Sequence, residues 1–185
     1  MPSVNQPEKI AGLYLRLNGF LHLPLFTVFF EDGYGQIDYI ALRAGNSVEK
    51  AGGVEFIVDD DFFKMCISDA LTSPRETTFG IVAKVRGNKA RKAPDATNTA
   101  YARKFLGELP VVRVSFCDVA KELRISDGVI VVSIKYAWAW IHKRITWMDE
   151  QGWKFTKSQS WALSDDFLSD LLYQTGRDWK KKTQE

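Results

Sequence analysis

The chain has 185 residues, of which 45% are hydrophobic and 26% charged. That length and balance suit one soluble globular domain and exclude a disordered or collagen-like chain. The 25 basic and 23 acidic residues leave a net charge of +2, so total charge does not point to a partner and the distribution of charge has to. Cys66 and Cys117 are far apart, with no Cys-x-x-Cys and no histidine cluster beside them, so neither a disulfide framework nor a zinc site is expected. The start of the chain has neither a basic stretch nor a long apolar run, and no segment approaches the roughly 18 apolar residues of a membrane span. A cytoplasmic protein is expected.

In chain order, residues 7–21 predict a helix. Pro7 suits a first turn, Glu8 complements the dipole, and Ile10, Leu13, Tyr14, Leu17 and Leu21 recur at helical spacing, with His22 and Pro24 ending it. Residues 25–30 form a short apolar strand, 31–35 a Gly-containing turn, and 36–43 a second strand antiparallel to the first. Residues 44–77 read as an insertion around one helix, 60–71, capped within Asp59-Asp60-Asp61, with Phe62 and Phe63 on its buried side. A third strand covers 79–86, a basic loop follows, a helix runs from about residue 95 to 106, and a fourth strand covers 111–116. After the Ser126-Asp127-Gly128 turn comes a fifth strand, 129–133. Residues 134–148 alternate like a strand but also space like a helix, and Ser133 as a cap favours the helix. A last helix is expected after Ser164.

Two of these strands carry an ionisable residue inside an apolar run: Asp38 in Gln36–Arg43 and Lys84 in Phe79–Arg86. Burying such a group costs desolvation unless it is paired, binds metal or sits at a wet strand end, so both are candidate site residues. Lys84, Arg86, Lys89, Arg91 and Lys92 place five basic residues in nine positions. Such a run is either a solvated loop or a phosphate contact. All six tryptophans, Trp138, Trp140, Trp147, Trp153, Trp161 and Trp179, lie in the last third, where large aromatics anchor a core or a partner more often than they stack bases.

The acid and lysine strands, the run from Ala11 to Phe20 and the pattern from Ile134 to Arg144 resemble the PD-(D/E)xK nuclease superfamily and its small bacterial nuclease-like members. The resemblance implies an α/β fold with a mixed sheet: a restriction-endonuclease-like αβββαβ core over about 7–116, with the insertion at 44–77 and a C-terminal extension over about 126–176, in a single domain.

It implies Asp38, Lys84 and Glu8 as catalytic residues, Asp38 and Glu8 as ligands of magnesium, and Arg86, Lys89, Arg91 and Lys92 as contacts to DNA or RNA. The family's second acid is missing. With Lys84 as the family lysine its position holds Val82, and in the ungapped register Ala83 and Val85 take the acid and lysine positions. Magnesium takes oxygen ligands and needs one or two carboxylates beside phosphate and water, so Asp38 alone predicts weak binding. The reading is therefore a metal-dependent nuclease or a binding relative that has lost the reaction. The alternative is a protein-interaction subunit, or a homo-oligomer, built on the Trp-rich end.

Overall fold

The computed structural model describes residues 6–30, 33–45, 50–51, 54–55, 57–67, 77–86, 93–118 and 123–151. By its internal contacts the chain falls into two units, Met1–Ile141 and His142–Glu185. The first holds a six-stranded mixed sheet and, among the described residues, four helices begin in it. The class is α+β.

Helix α1 (Gln6–Leu17) opens the chain. It ends four residues earlier than its apolar spacing predicts, because Gly19 adopts φ 81° and closes the helix. The Gly19 N–H donates to the Arg16 carbonyl (2.9 Å) and the Phe20 N–H to the Leu15 carbonyl (3.1 Å). This paired C-terminal motif needs a left-handed residue, which glycine supplies without a Cβ penalty. Leu21 and His22 therefore begin strand β1 (Leu21–Phe30), which is antiparallel to β2 (Gly33–Arg43).

The insertion contains a small two-stranded hairpin, β3 (Lys50–Ala51) and β4 (Val54–Glu55), and helix α2 (Asp60–Cys66). Asp59 caps α2 by accepting the Phe62 N–H, as the acidic run predicts, but Ile67 is already extended, so the helix is shorter than 60–71. Strand β5 (Phe79–Arg86) pairs antiparallel with β2 and parallel with β6 (Val111–Cys117). Between them lies α3 (Ala96–Leu106), capped by Asp95, whose carboxylate accepts the Asn98 N–H at 2.7 Å.

The sequence reading did not anticipate β7 (Arg124–Ser126). It forms a tight hairpin with β8 (Val129–Ser133) through Asp127 and Gly128, at φ 52° and 66°, the two positive angles that a primed hairpin turn requires. Helix α4 (Ile134–Glu150) settles the ambiguous segment as helix, with the Ser133 hydroxyl accepting the Lys135 N–H. The sheet order is β1-β2-β5-β6-β8-β7. Helix, three antiparallel strands, helix and a strand parallel to the third thus occur in the predicted αβββαβ order. The helix expected after Ser164, with Trp153, Trp161 and Trp179, lies outside the described residues.

Paired residues project to the same side of a sheet, and successive residues alternate sides, so the register sorts side chains into two faces. On the first face, Tyr39 donates its hydroxyl to the Glu8 carbonyl (2.6 Å), and Gly12 passes so close that a Cβ would lie 2.7 Å from that hydroxyl. Phe79, on the same face, meets Phe20 and Phe63 at ring separations of 5.5 and 6.3 Å. Tyr14 lies edge-on to Trp140 at 5.3 Å. Helices α1 and α2 and the start of α4 therefore cover this face.

The second face carries α3. Ile37, Ile40, Val82 and Ala102 form a buried cluster with Tyr101, Leu106 and Val111 against it, so β2 departs from strict alternation between Ile37 and Ile40, and the missing side chain of Gly80 makes room for Leu106.

Candidate functional site

Asp38 and Lys84 lie just past the end of the β2–β5 ladder, whose last pair is Tyr39 and Ala83. Both are buried, at 7% and 4% exposure, and the Asp38 carboxylate accepts the Val85 N–H at 2.7 Å. That bond extends the β2–β5 contact beyond the last paired residues, which explains why an acid closes the ladder here.

Lys84 has a further neighbour that the sequence reading passed over. Ser115 on β6 is its partner in register, fully buried and on the same face, so Lys84 and Ser115 form a buried polar row that Asp38 adjoins through its bond to the Val85 N–H. The available signal was the one that singled out Asp38: a polar residue within an apolar strand, here Val111–Cys117. The row lies near the carboxyl ends of β5, β6 and β8, which run parallel and end at Arg86, Cys117 and Ser133. In open sheets with parallel strands, ligands gather outside those ends. Arg86 is exposed there, whereas Lys89, Arg91 and Lys92 lie outside the described residues.

Val82, the acid position when Lys84 is the family lysine, packs in the α3 cluster. Ala83 and Val85, the other register, project from the first face. Helix α1, which carries Glu8, packs on the first face, where the Glu8 carbonyl accepts the Tyr39 hydroxyl. Asp118, just past β6, keeps one carboxylate oxygen buried without a hydrogen-bond partner. It stands three residues beyond Ser115, about 10 Å along the strand. Among the described residues no group of three or more His, Cys, Asp or Glu side chains is arranged to hold a metal ion.

The first face has a buried polar centre of a different kind. Asp59 accepts hydrogen bonds from the Tyr14 hydroxyl (2.5 Å), the Tyr136 hydroxyl (3.1 Å) and the Phe62 N–H (3.2 Å). Its own N–H donates to the Asn18 side chain (2.7 Å), and the buried Arg43 guanidinium donates to the Asn18 carbonyl while lying over the Phe63 ring. Burial and the Asp59 charge push both tyrosines well above the usual phenol range, and burial, with Asp59 adding to it, does the same to the Cys66 thiol. The hub ties α1, α2 and α4 together, and the Asp59-Asp60-Asp61 run serves it: Asp61 makes a solvent-exposed ion pair with Lys64 at 3.6 Å.

His22 stands in β1, edge-on to Tyr39 at 5.1 Å, and not at a helix end. His142, in the second unit, has its imidazole lowered by partial burial. In that unit Arg144 stacks over Trp147 at 5.0 Å. Among the described residues no helix is long and apolar enough to cross a membrane. Compared with protein families, with curated proteins and with solved structures, the chain matches none.

Proposed function

We propose that this protein is a nuclease-like module, related in architecture to the PD-(D/E)xK superfamily, that binds nucleic-acid phosphodiesters without hydrolysing them. The observation that carries the reading is the placement of Asp38 beside the lysine strand, bonded to the Val85 N–H next to Lys84, with apolar Val82 where that fold would hold its second acid. The αβββαβ order supports the architecture, and exposed Arg86 at the end of the lysine strand supports the phosphate contact. An ammonium ion and a guanidinium at one sheet end attract phosphate through charge, independently of base sequence. A lone carboxylate is a poor magnesium site, so this reading requires no metal.

The test is fluorescence anisotropy with labelled oligonucleotides over a salt series, run beside a cleavage assay in magnesium and in manganese. Binding is expected to weaken steadily with salt, and Arg86→Ala is expected to reduce the salt slope by about one. No product should form with either metal. Cleavage that disappears in Asp38→Ala would replace this reading with that of an active metal-dependent nuclease, and no binding at low salt would end it.

A further inference from the structure

The six-stranded sheet has β1 at one edge and β7 at the other, and the two edges are guarded differently. Strand β7 is three residues long and opens on Arg124, and shortness and charge are both devices by which native sheets discourage a further strand. Strand β1 is ten residues long and holds no lysine, arginine, aspartate or glutamate. Among the described residues no strand pairs with its outer side, where a row of backbone N–H and C=O groups is open to water or to another strand. Leu21, Leu23 and Phe29 on it are 77%, 54% and 76% exposed, and Thr27 is exposed as well.

Pro24 decides how much of that edge can pair. Proline has no N–H to give a ladder, so in an edge strand it stands where the backbone faces away from the neighbouring strand. In the antiparallel β1–β2 register Pro24 is opposite Tyr39, and every second residue shares its orientation, so Phe26, Val28 and Phe30 also turn their backbone groups outward. The outer ladder is interrupted at Pro24 and complete from there to the end of the strand. Residues 25–30 are an uncharged, proline-free and glycine-free run of strand-favouring types, the composition of segments that pair with their own copies.

Charge selects the direction of such pairing. The sequence runs on from β1 into Glu31-Asp32. Two copies paired in parallel would set these acids side by side, which is unfavourable, whereas antiparallel pairing sends them to opposite ends and brings no like charges together within the strand. An antiparallel pair of identical strands has a two-fold axis and is therefore closed, a dimer and not a filament. Centred on Val28, it joins the outward backbone groups of Phe26, Val28 and Phe30 to those of the second copy and avoids Pro24.

We infer that the protein forms a two-fold dimer with a second copy of itself, in which the β1 edges pair antiparallel about Val28 and the two sheets become one. Thr27 of each copy then stands opposite Phe29 of the other, with Cβ atoms about 5 Å apart. The dimer goes beyond the nucleic-acid reading and does not depend on it. The paired stretch is short, so the dimer is a weak one that dissociates on dilution.

The experiment is sedimentation velocity from micromolar to millimolar concentration on wild type, Thr27→Lys/Phe29→Lys and Thr27→Lys/Phe29→Glu. Both side chains are exposed in the single chain, so each variant should fold, and a thermal unfolding curve matching wild type at the lowest concentration verifies this. Wild type is expected to pass from monomer to dimer as concentration rises. The first variant sets like charges opposite each other across the axis and should weaken the dimer about tenfold or more. The second sets opposite charges there and should recover dimerisation, and salt should weaken that recovery.

A wild type that stays monomeric overturns the inference and leaves the edge to a strand from another protein or from elsewhere in this chain. A dimer that the like-charged variant leaves intact also overturns it, because the contact then lies on another surface. Two variants that dissociate to the same extent contradict the pairing of Thr27 with Phe29, and assemblies that grow beyond the dimer contradict the two-fold axis; either result overturns the arrangement.

Discussion

Asp38 and Asp59 are both buried, and the two are held in different ways. On the first face Asp59 gathers donors from three helices, two phenols and the first turn of α2, and its backbone is tied to Asn18. Asp38 takes the Val85 N–H just past the end of the β2–β5 ladder, next to Lys84 in the chain. The first arrangement encloses charge under helices that it fastens together. The second places charge near the carboxyl end of β5, which runs parallel to β6. A buried carboxylate therefore marks a fastening in one place and a candidate site in the other, and its neighbours decide which.

That contrast has its largest expected consequence at Asp59. Asp59→Ala removes the α2 cap, worth about 1 kcal/mol, and leaves the fully buried Tyr14 hydroxyl and the half-buried Tyr136 hydroxyl without their acceptor. With about 1–3 kcal/mol for each buried polar group left unsatisfied, the variant should lose roughly 3–5 kcal/mol in urea unfolding. A loss under about 1 kcal/mol would mean that the hub does not hold the first face together.

The second expected effect is alkaline. Tyr14 and Tyr136 hold their protons in the folded protein well above the usual phenol value of about 10, chiefly through burial and then through Asp59. In the unfolded chain they ionise near that ordinary value. The unfolded state thus binds fewer protons above about pH 10, so stability is complete below that pH and falls as pH rises toward the folded values. Urea midpoints measured from pH 8 upward should decline past about 10, and tyrosinate absorbance for these two groups should appear together with unfolding. In Tyr14→Phe/Tyr136→Phe the decline should be shallower. An equally steep decline in that variant would place the alkaline sensitivity elsewhere.

Much of this contrast was legible in the chain itself. Asp38 and Lys84 each broke an apolar strand run, and the order of elements followed from hydrophobic period and turn residues. Two kinds of information were not local. Strand parity puts Asp38 and Lys84 each on some face, but only the folded chain brings the Asp38 carboxylate to the Val85 N–H beside Lys84. Likewise Tyr14, Asn18, Asp59 and Tyr136 are spread over more than a hundred residues, and each alone reads as an ordinary helix or cap residue. The early end of α1 was different in kind. Asn18-Gly19 is a local stop signal, outweighed in the reading by the apolar spacing that continues to Leu21. Strand β7 was too short and too exposed to show a period, and it exists because Asp127-Gly128 turns the chain back onto β8.

A smaller effect probes how the second face is covered. At Gly80 a Cβ would run into the Leu106 side chain, so Gly80→Ala forces that leucine, and with it the end of α3, outward. Overpacking of this size costs about 1–2 kcal/mol. Thermal unfolding reads the loss, and nucleic-acid affinity should stay unchanged, because the contact lies at the opposite end of β5 from Lys84. A large loss of binding with little loss of stability would show that α3 reaches the polar row and is not merely its distant cover.

The smallest effect on stability is expected at Asp38→Asn. The amide oxygen can still accept the Val85 N–H, so the ladder end keeps its bond and only the charge beside Lys84 is lost. If the row draws phosphate and requires no metal, removing a negative charge from it favours the ligand: two unit charges a few ångströms apart near a protein surface interact by a few kcal/mol before solvent and salt reduce the figure. Asp38→Asn should therefore unfold within about 1 kcal/mol of wild type and bind oligonucleotides at least as tightly. Asp59→Asn has no such alternative use for its charge, and in that variant an amide NH2 competes with the phenol donors for the same space. If Asp38→Asn proves the more damaging of the two substitutions, the roles assigned to the two aspartates are reversed, and Asp38 becomes a fastening like Asp59.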